Sequence, residues 1–472
     1  MNFSSQNFWI ALTIGSILAL SAKWILDFFS KDHQGNFIDR TLLALLSLSL
    51  LLYQSLLTLV IFLFVILVTY FSLKYLTNSP KHLKRIILAL LLFIQFTPLL
   101  YYKYASFISV GLLGIENDYF SSLIIPVGIS FYTFQMVGFV IDYHKSNSNY
   151  PKFLDFLNFA SFFPQIVAGP IERKESLLPQ VQKFSFSFNI KNAEAAFPWV
   201  ILGLFMKLTL ADNLASGMPW IANDSDNAYA ILIGSFVFGL RIYFDFAGYS
   251  FIALGLGRLF GINLTLNFIS PYTAVNIQDF WHRWHRSLST WFRDYLYFPL
   301  GGNRNKRWAL NILIVFIISG FWHGAGWNFI LWGVVHGSAL VVYFYIKPFC
   351  TNFPKIVAWA INILFIVLTW LLFYQVDSSI LFSKLNTLIS PNAYGLQEIL
   401  LIKSVFGQFG SLLNASVWIL ASIGFLILEH LSIRKYNDPY AFFRQPSVSI
   451  LIACITYVAA PVVQNGFIYF NF

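Results

Sequence analysis

Three histidines stand where an imidazole could do chemistry. His282 and His285 are three apart in a run that starts at Asn276 and reads Asn-Ile-Gln-Asp-Phe-Trp-His-Arg-Trp-His-Arg. His323 ends an apolar run and is followed by Gly324-Ala325-Gly326, so the backbone there can bend and be approached closely. An imidazole takes and gives a proton near neutral pH, its unperturbed pKa being about 6.5. It also ligates metals, and an H-x-x-H pair invites that reading. No Glu or Cys stands beside the pair at a usual metal-site spacing, and the clustered histidine boxes of a membrane di-iron enzyme are missing. No metal is expected. His33, His82, His144 and His430 are scattered near span ends and loops, where solvation or snorkelling suffices. His336 lies mid-span and reads as a core histidine bonded to a neighbouring helix. Arg241 and Asp245, four apart in another span, read as an intramembrane ion pair. An ionisable group within a membrane is costly, which singles out His323 as the leading candidate.

The elements that must hold these residues follow from composition. The 472 residues are 58% hydrophobic, 19% aromatic and 11% charged, with a mean hydropathy of +0.67. A soluble domain carries about 25% charged residues, so soluble, disordered and nucleic-acid-binding proteins are excluded despite the net charge of +10. The basic excess reads as Lys and Arg in cytoplasmic loops facing anionic lipid headgroups. Cys350 and Cys454, about a hundred residues apart, indicate neither a disulfide framework nor a thiolate metal site. The first apolar stretch lacks a positively charged leader and is expected to be a mature helix.

Spans are predicted at Phe8–Phe28, Leu42–Tyr70, Ile86–Tyr102, Phe120–Ile141, Ala196–Asn213, Tyr229–Leu256, Trp308–Ser319, Trp327–Tyr345, Ile356–Tyr374, Val417–Leu431 and Val448–Val463. The apolar stretch Thr41–Leu76 would be about 54 Å long as a helix, too long for one crossing, so a tight turn is expected near Tyr53-Gln54. The fold class is all-α: a polytopic membrane bundle of roughly eleven or twelve helices. One membrane domain over 1–472 is expected, with its motifs in a core of about 40–345 and C-terminal spans within 356–463. Lys81, Lys84 and Arg85, the stretch His144–Lys191, the stretch Arg258–Arg307 and the set Arg434, Lys435, Arg444 mark inside loops. The Lys- and Arg-free residues 1–22, the turn Glu116-Asn117-Asp118 and the loop with Asp224 and Asp226 mark the outside. Two long loops, Asn158–Gln180 and Asn263–Arg307, are too polar to span and too apolar to float, and are expected to dip into the bundle. Within the second, Trp281, Trp284, Leu288, Trp291, Phe292 and Tyr295 recur at helical spacing from an Asn276 cap with Asp279 in its first turn. That pattern predicts an interfacial amphipathic helix ended by Pro299 and Gly301-Gly302.

The motifs together carry a resemblance. Phe163-Pro164-Gln165, Ala168-Gly169-Pro170-Ile171 and Tyr243-Phe244-Asp245-Phe246-Ala247-Gly248-Tyr249-Ser250 resemble the bacterial membrane-bound O-acyltransferase family. So do Phe280-Trp281-His282-Arg283-Trp284-His285, Arg293-Asp294-Tyr295-Leu296-Tyr297 and Phe321-Trp322-His323-Gly324. The run Tyr297-Phe298-Pro299-Leu300-Gly301-Gly302-Asn303-Arg304 is similar to the alginate O-acetyltransferase branch. The first forty residues and the segment Asp377–Leu412 match nothing in the family pattern.

The resemblance implies a funnel pinched where two histidines meet: His323 is the family's membrane-embedded catalytic histidine and His285 the second of its pattern. His282 varies between branches and stays outside the mechanism. His323 would deprotonate the acceptor or briefly carry the acyl group, and His285 would orient the donor. Acetyl-CoA or another acyl thioester is the implied donor, with no bound cofactor. Arg283, Arg286, Arg293 and Lys306 are candidates for its phosphates, each also readable as an interfacial cation. Asp294, Tyr243 and Asp245 are further substrate-binding candidates. The acceptor is expected to be an extracytoplasmic polysaccharide, alginate-like or peptidoglycan, reached through a partner esterase-like protein from a bacterial inner membrane. A G-x-S-x-G elbow of the partner's type is absent from this chain. Alternatives are an acyltransferase for lipid, teichoic acid or protein, or a transporter with a histidine proton relay. Loop charge makes a direct prediction about sidedness. A cysteine at Asn303, close to Arg304, Lys306 and Arg307, should label only from the cytoplasm, and one at Asp226 only from outside. Labelling of both from one side would break the transmembrane geometry.

Overall fold

A computed structural model describes residues 3–29, 35–115, 118–146, 150–167, 169–215, 227–304, 306–350, 352–399, 412–462 and 465–470. His33, Glu116, Asn117, Ala168, Asp224 and Asp226 lie outside the described residues. Every regular element among the described residues is helical. Among the described residues, nine helices are long and apolar enough to cross a membrane, and Trp308–His323 and Pro446–Ala459 are shorter apolar helices. The chain is an all-α polytopic membrane protein.

Backbone chemistry decides where the apolar stretches break. Gly35–Gln54 and Leu56–Asn78 are separate helices. The break falls at Ser55, whose side chain accepts from the Thr58 amide at 3.3 Å and so satisfies a donor that the new helix leaves open. Phe120–Ile141 is not one span, contrary to the sequence expectation. Asp118–Ser121 is a single turn and the next helix is Ile129–Ser146. Pro126 disfavours helix at the residue before it. Gly128 then sits at φ +76°, and a Cβ there would lie 2.7 Å from the Ile166 carbonyl oxygen.

Contacts divide the chain into two compact units, Met1–Val200 with Tyr249–Leu266, and Ile201–Gly248 with Asn267–Phe472. In the first, the loop Asn158–Gln180 is packed into protein, with Phe159, Phe162, Phe163 and Ile166 buried. Charged and polar groups tie it down. Arg40 pairs with Asp155, the Asn158 amide donates to the Arg40 carbonyl at 2.9 Å, and Lys23 pairs with Asp39 at 2.8 Å. Burial pushes Glu172 up to about 6, while hydrogen bonds from the Thr265 amide and hydroxyl act the other way.

In the second unit, Trp308–His323 and Trp327–Ile346 pack as a hairpin at small residues. A Cβ at Gly320 would lie 2.1 Å from the Phe329 carbonyl oxygen, and one at Gly333 would lie 2.2 Å from that of Phe316. That contact fixes the end of the first helix, where His323 stands. A π-helical stretch, Phe205–Ala211, carries Lys207 into a buried ion cluster. Its ammonium lies 2.6 Å from Asp212, 2.8 Å from Asp245 and 2.9 Å from the Asn465 carbonyl. Asp245 also accepts from the Ile468 amide at 2.7 Å. The structure corrects the pairing expected from sequence: Lys207, not Arg241, closes the ion pair with Asp245. Arg241 reaches Asp245 only through its longer-range field.

Removing one member of a buried charge cluster leaves the others uncompensated, at a cost of about 3–5 kcal/mol. Lys207→Ala should therefore sharply lower the melting temperature in detergent. Adding Asp212→Asn and Asp245→Asn should recover much of the loss, because the stranded carboxylates are then neutral. Thermal size-exclusion chromatography reads both. A triple variant no more stable than Lys207→Ala would show that charge compensation is not what the cluster provides.

Candidate active site

The segment expected as one amphipathic helix is broken in the middle. It forms Ile277–Arg283, then Arg286–Phe292, then a π-helical Arg293–Tyr297. Asn276 caps the first piece as expected, accepting from the Asp279 amide at 2.8 Å. Trp284 is extended, and His285 sits in the left-handed region at φ 43°. A non-glycine residue there is strained unless its surroundings hold it. Asn267 does so: its carbonyl accepts from the Arg286 amide at 2.9 Å and its side chain from the Ser287 amide at 3.3 Å. The Ile269 amide donates to the Arg283 carbonyl at 3.0 Å, so residues 267–270 run alongside the break. The break turns His285 inward, 1% exposed, while His282 stays exposed. The two histidines differ sharply in burial. Trp284, Leu288, Trp291, Phe292 and Tyr295 are likewise buried in protein rather than laid at headgroup level.

A second clamp holds the other side of the turn. Ser270 is also left-handed, at φ 45°. Its hydroxyl donates to Glu429 at 2.9 Å and its amide to the Tyr440 hydroxyl at 3.0 Å. The Tyr243 hydroxyl donates to the same carboxylate at 2.5 Å. Tyr243 and Glu429 are both fully buried, so a membrane helix grips the turn through a polar pin.

His285 and His323 come together. Their ring centroids are 6.5 Å apart with 51° between planes. Aromatic rings wall them in: Phe246 lies 4.6 Å from His285, and Trp332, Phe373 and Tyr469 lie 5.3, 5.3 and 5.6 Å from His323. Burial pushes His285 below the ordinary histidine range, so its ring is neutral. Both histidines line one cavity of about 240 Å³, with apolar walls such as Phe292, Ile312 and Phe316 and with Arg293 and Asn303 from the basic loop. Small-molecule sites usually span about 300–1,000 Å³. This chamber takes the end of a molecule.

The other candidates are placed differently. Arg293 lines the cavity and pairs with Asp294 at 2.8 Å. Arg283 pairs with Asp279 at 2.7 Å, and Arg286, Asp294, Tyr243, Asp245 and Lys306 do not line the chamber. His282 does line it. His336 is a core histidine as expected, its Nε2 lying 3.0 Å from the Thr369 hydroxyl. Sequence reasoning missed Asn267, Glu429, Lys207 and Tyr469. Lys207 and Glu429 carried a signal, each being an ionisable residue inside an apolar run. Tyr469 carried none: it reaches His323 because Lys207 and Asp245 hold the backbone at Asn465 and Ile468.

Comparison with known proteins places the chain among relatives. The chain is 36% identical over 361 residues to a peptidoglycan O-acetyltransferase of Helicobacter pylori, covering 69% of this chain and 68% of that protein. It is 31% identical over 354 residues to a probable alginate O-acetylase of Pseudomonas aeruginosa, covering 72% and 65%. A teichoic acid D-alanyltransferase of Streptococcus thermophilus is 32% identical over 237 residues, covering 47% and 57%. The match thus spans between about half and two thirds of the length of these relatives. The profile of the membrane-bound O-acyltransferase family matches residues 46–374, a stretch that contains His285 and His323, and the chain belongs to that family.

Proposed function

We propose that this O-acyltransferase moves an acetyl group from a cytoplasmic thioester such as acetyl-CoA to hydroxyls of an extracytoplasmic polysaccharide in a bacterial inner membrane. The observation that carries this reading is the convergence of two buried imidazoles on one small chamber. His323 takes the proton of the acceptor hydroxyl. The hydroxyl oxygen attacks the thioester carbonyl, the C–S bond breaks, and the proton passes to the departing thiolate. His285, neutral and held at the left-handed turn, orients the donor carbonyl. Arg293 meets the donor phosphates in this reading, which its position in the chamber lining supports. The chamber volume supports a short acyl group over a fatty acyl chain. An esterase-like partner outside the membrane would offer the attacking hydroxyl, leave with the acetyl ester, and pass it to a hydroxyl of the polymer. D-alanyl transfer to teichoic acid is the second reading, favoured by the relatives of that name and by the small size of a D-alanyl group.

Mass spectrometry of envelope glycans tests the acceptor, with acetyl esters lost when the gene is deleted. His323→Ala should cut acetylation by about 10²-fold or more, the usual contribution of a general base, while membrane insertion stays normal. A well-inserted mutant with substantial acetylation would sink the assignment. His285→Ala should be nearly inactive as well. His282→Arg should stay largely active, because His282 is exposed and a long cation can reach outward. Equal loss at 282 and 285 would contradict the separate roles of the two histidines.

A further inference from the structure

A second cavity lies elsewhere in the same unit. It holds about 720 Å³ and is walled by Leu240, Ile356, Trp359, Ile363, Ile423 and Ile427. Its floor includes Tyr272 and Thr273, which lead into the Asn276 cap and so toward the His285 turn. Lys355, His430 and Arg434 also line it. Lys355 begins the helix Lys355–Tyr374, and Arg434 lies in the last turn of Leu412–Tyr436, so the cations gather at one end of the two walls. Among the described residues none of the three closes an ion pair. Ile356 and Ile427 are 69% and 54% exposed, so the groove opens outward through greasy side chains. Loop charge predicts that the cationic end faces the cytoplasm.

An apolar slot with unneutralised cations at its cytoplasmic end has the chemistry of a phospholipid site: acyl chains fill the slot and an anionic headgroup meets the cations. We infer that this groove binds an anionic phospholipid of the cytoplasmic leaflet and that the lipid steadies the segment carrying His285. The second part follows from the floor. The Trp359 indole donates to the Tyr272 carbonyl at 2.8 Å, the Tyr272 hydroxyl donates to the Gly239 carbonyl at 2.5 Å, and the Asn362 amide donates to the Ala274 carbonyl at 3.0 Å. A lipid filling the slot excludes water from these bonds. The inference stands apart from the proposed reaction, because it concerns lipid retention and stability.

The test uses the full chain in nanodiscs of phosphatidylcholine alone or with phosphatidylglycerol, followed by native mass spectrometry and thermal melting. The wild type should keep a bound phosphatidylglycerol after detergent release and melt higher when that lipid is present. The variant Lys355→Gln/His430→Gln/Arg434→Gln, altered at exposed positions, should hold phosphatidylglycerol roughly twenty-five-fold more weakly, Lys355 and Arg434 each giving about a fivefold effect near an anionic headgroup. Its melting should no longer respond to the lipid. Lys84→Gln/Arg85→Gln, at cations that do not line the groove, should behave as wild type. Equal retention by the groove variant would overturn the site. So would equal retention of phosphatidylcholine by the wild type, or stabilisation by inorganic phosphate alone, since each removes the need for an anionic lipid.

Discussion

Irregular backbone surrounded by membrane-spanning helices has no water to satisfy its amides and carbonyls, so protein must answer every one. The segment from Asn267 to Ser287 obeys that constraint, and the site depends on it. Its amides donate across the break to Asn267 and Arg283, and out to Tyr440. Its carbonyls accept from Trp359 and Asn362 of a neighbouring helix. With these bonds in place, His285 can hold a left-handed conformation that a free chain would leave, and its ring meets the cavity it shares with His323.

Buried ionisable groups work as pins in the same architecture. Glu429 joins Ser270, Tyr243 and, through the Tyr243 hydroxyl, Tyr440, so a single carboxylate ties the turn to two helices. Lys207 gathers two carboxylates and two points of the C-terminal segment, bringing Tyr469 against His323. The family motif thereby divides into two kinds of residue. Tyr243 and Asp245 are held in structural networks away from the chamber, and the histidines are the groups left facing it. Most of the arginines grouped with the histidines by sequence follow the same division: Arg283 braces its own helix through Asp279, and only Arg293 reaches the cavity.

Aromatic rings pack around both imidazoles. Trp322, Trp332, Phe373 and Tyr469 pack about His323, and Phe246 and Phe268 pack about His285. Rings of this size carry large contact area with little conformational freedom. They hold the imidazoles in place, while Phe292, Ile312 and Phe316 keep the chamber's walls apolar. That arrangement suits a reaction in which a neutral base must meet a hydroxyl without competing water.

The sequence alone determined that the chain is a helical membrane protein, because hydrophobic length and scarcity of charge are local quantities summed along the chain. Most spans were legible for that reason, as was the division of Thr41–Leu76. The Asn276 cap was legible because it needs only a side chain three residues from an amide. His323 was legible through the cost of an ionisable group in an apolar run, and His285 through its motif. The tertiary structure decided the rest. Periodicity predicts an unbroken helix through Trp284-His285, and only hydrogen bonds from Asn267, seventeen or more residues earlier, make the break favourable. Asp245 pairs with Lys207 rather than with Arg241 one turn away, because a π-helical stretch of another helix brings the ammonium closer. Tyr469 meets His323 across nearly a hundred and fifty residues of chain. None of these contacts is periodic or local, so they exist only once the helices have packed.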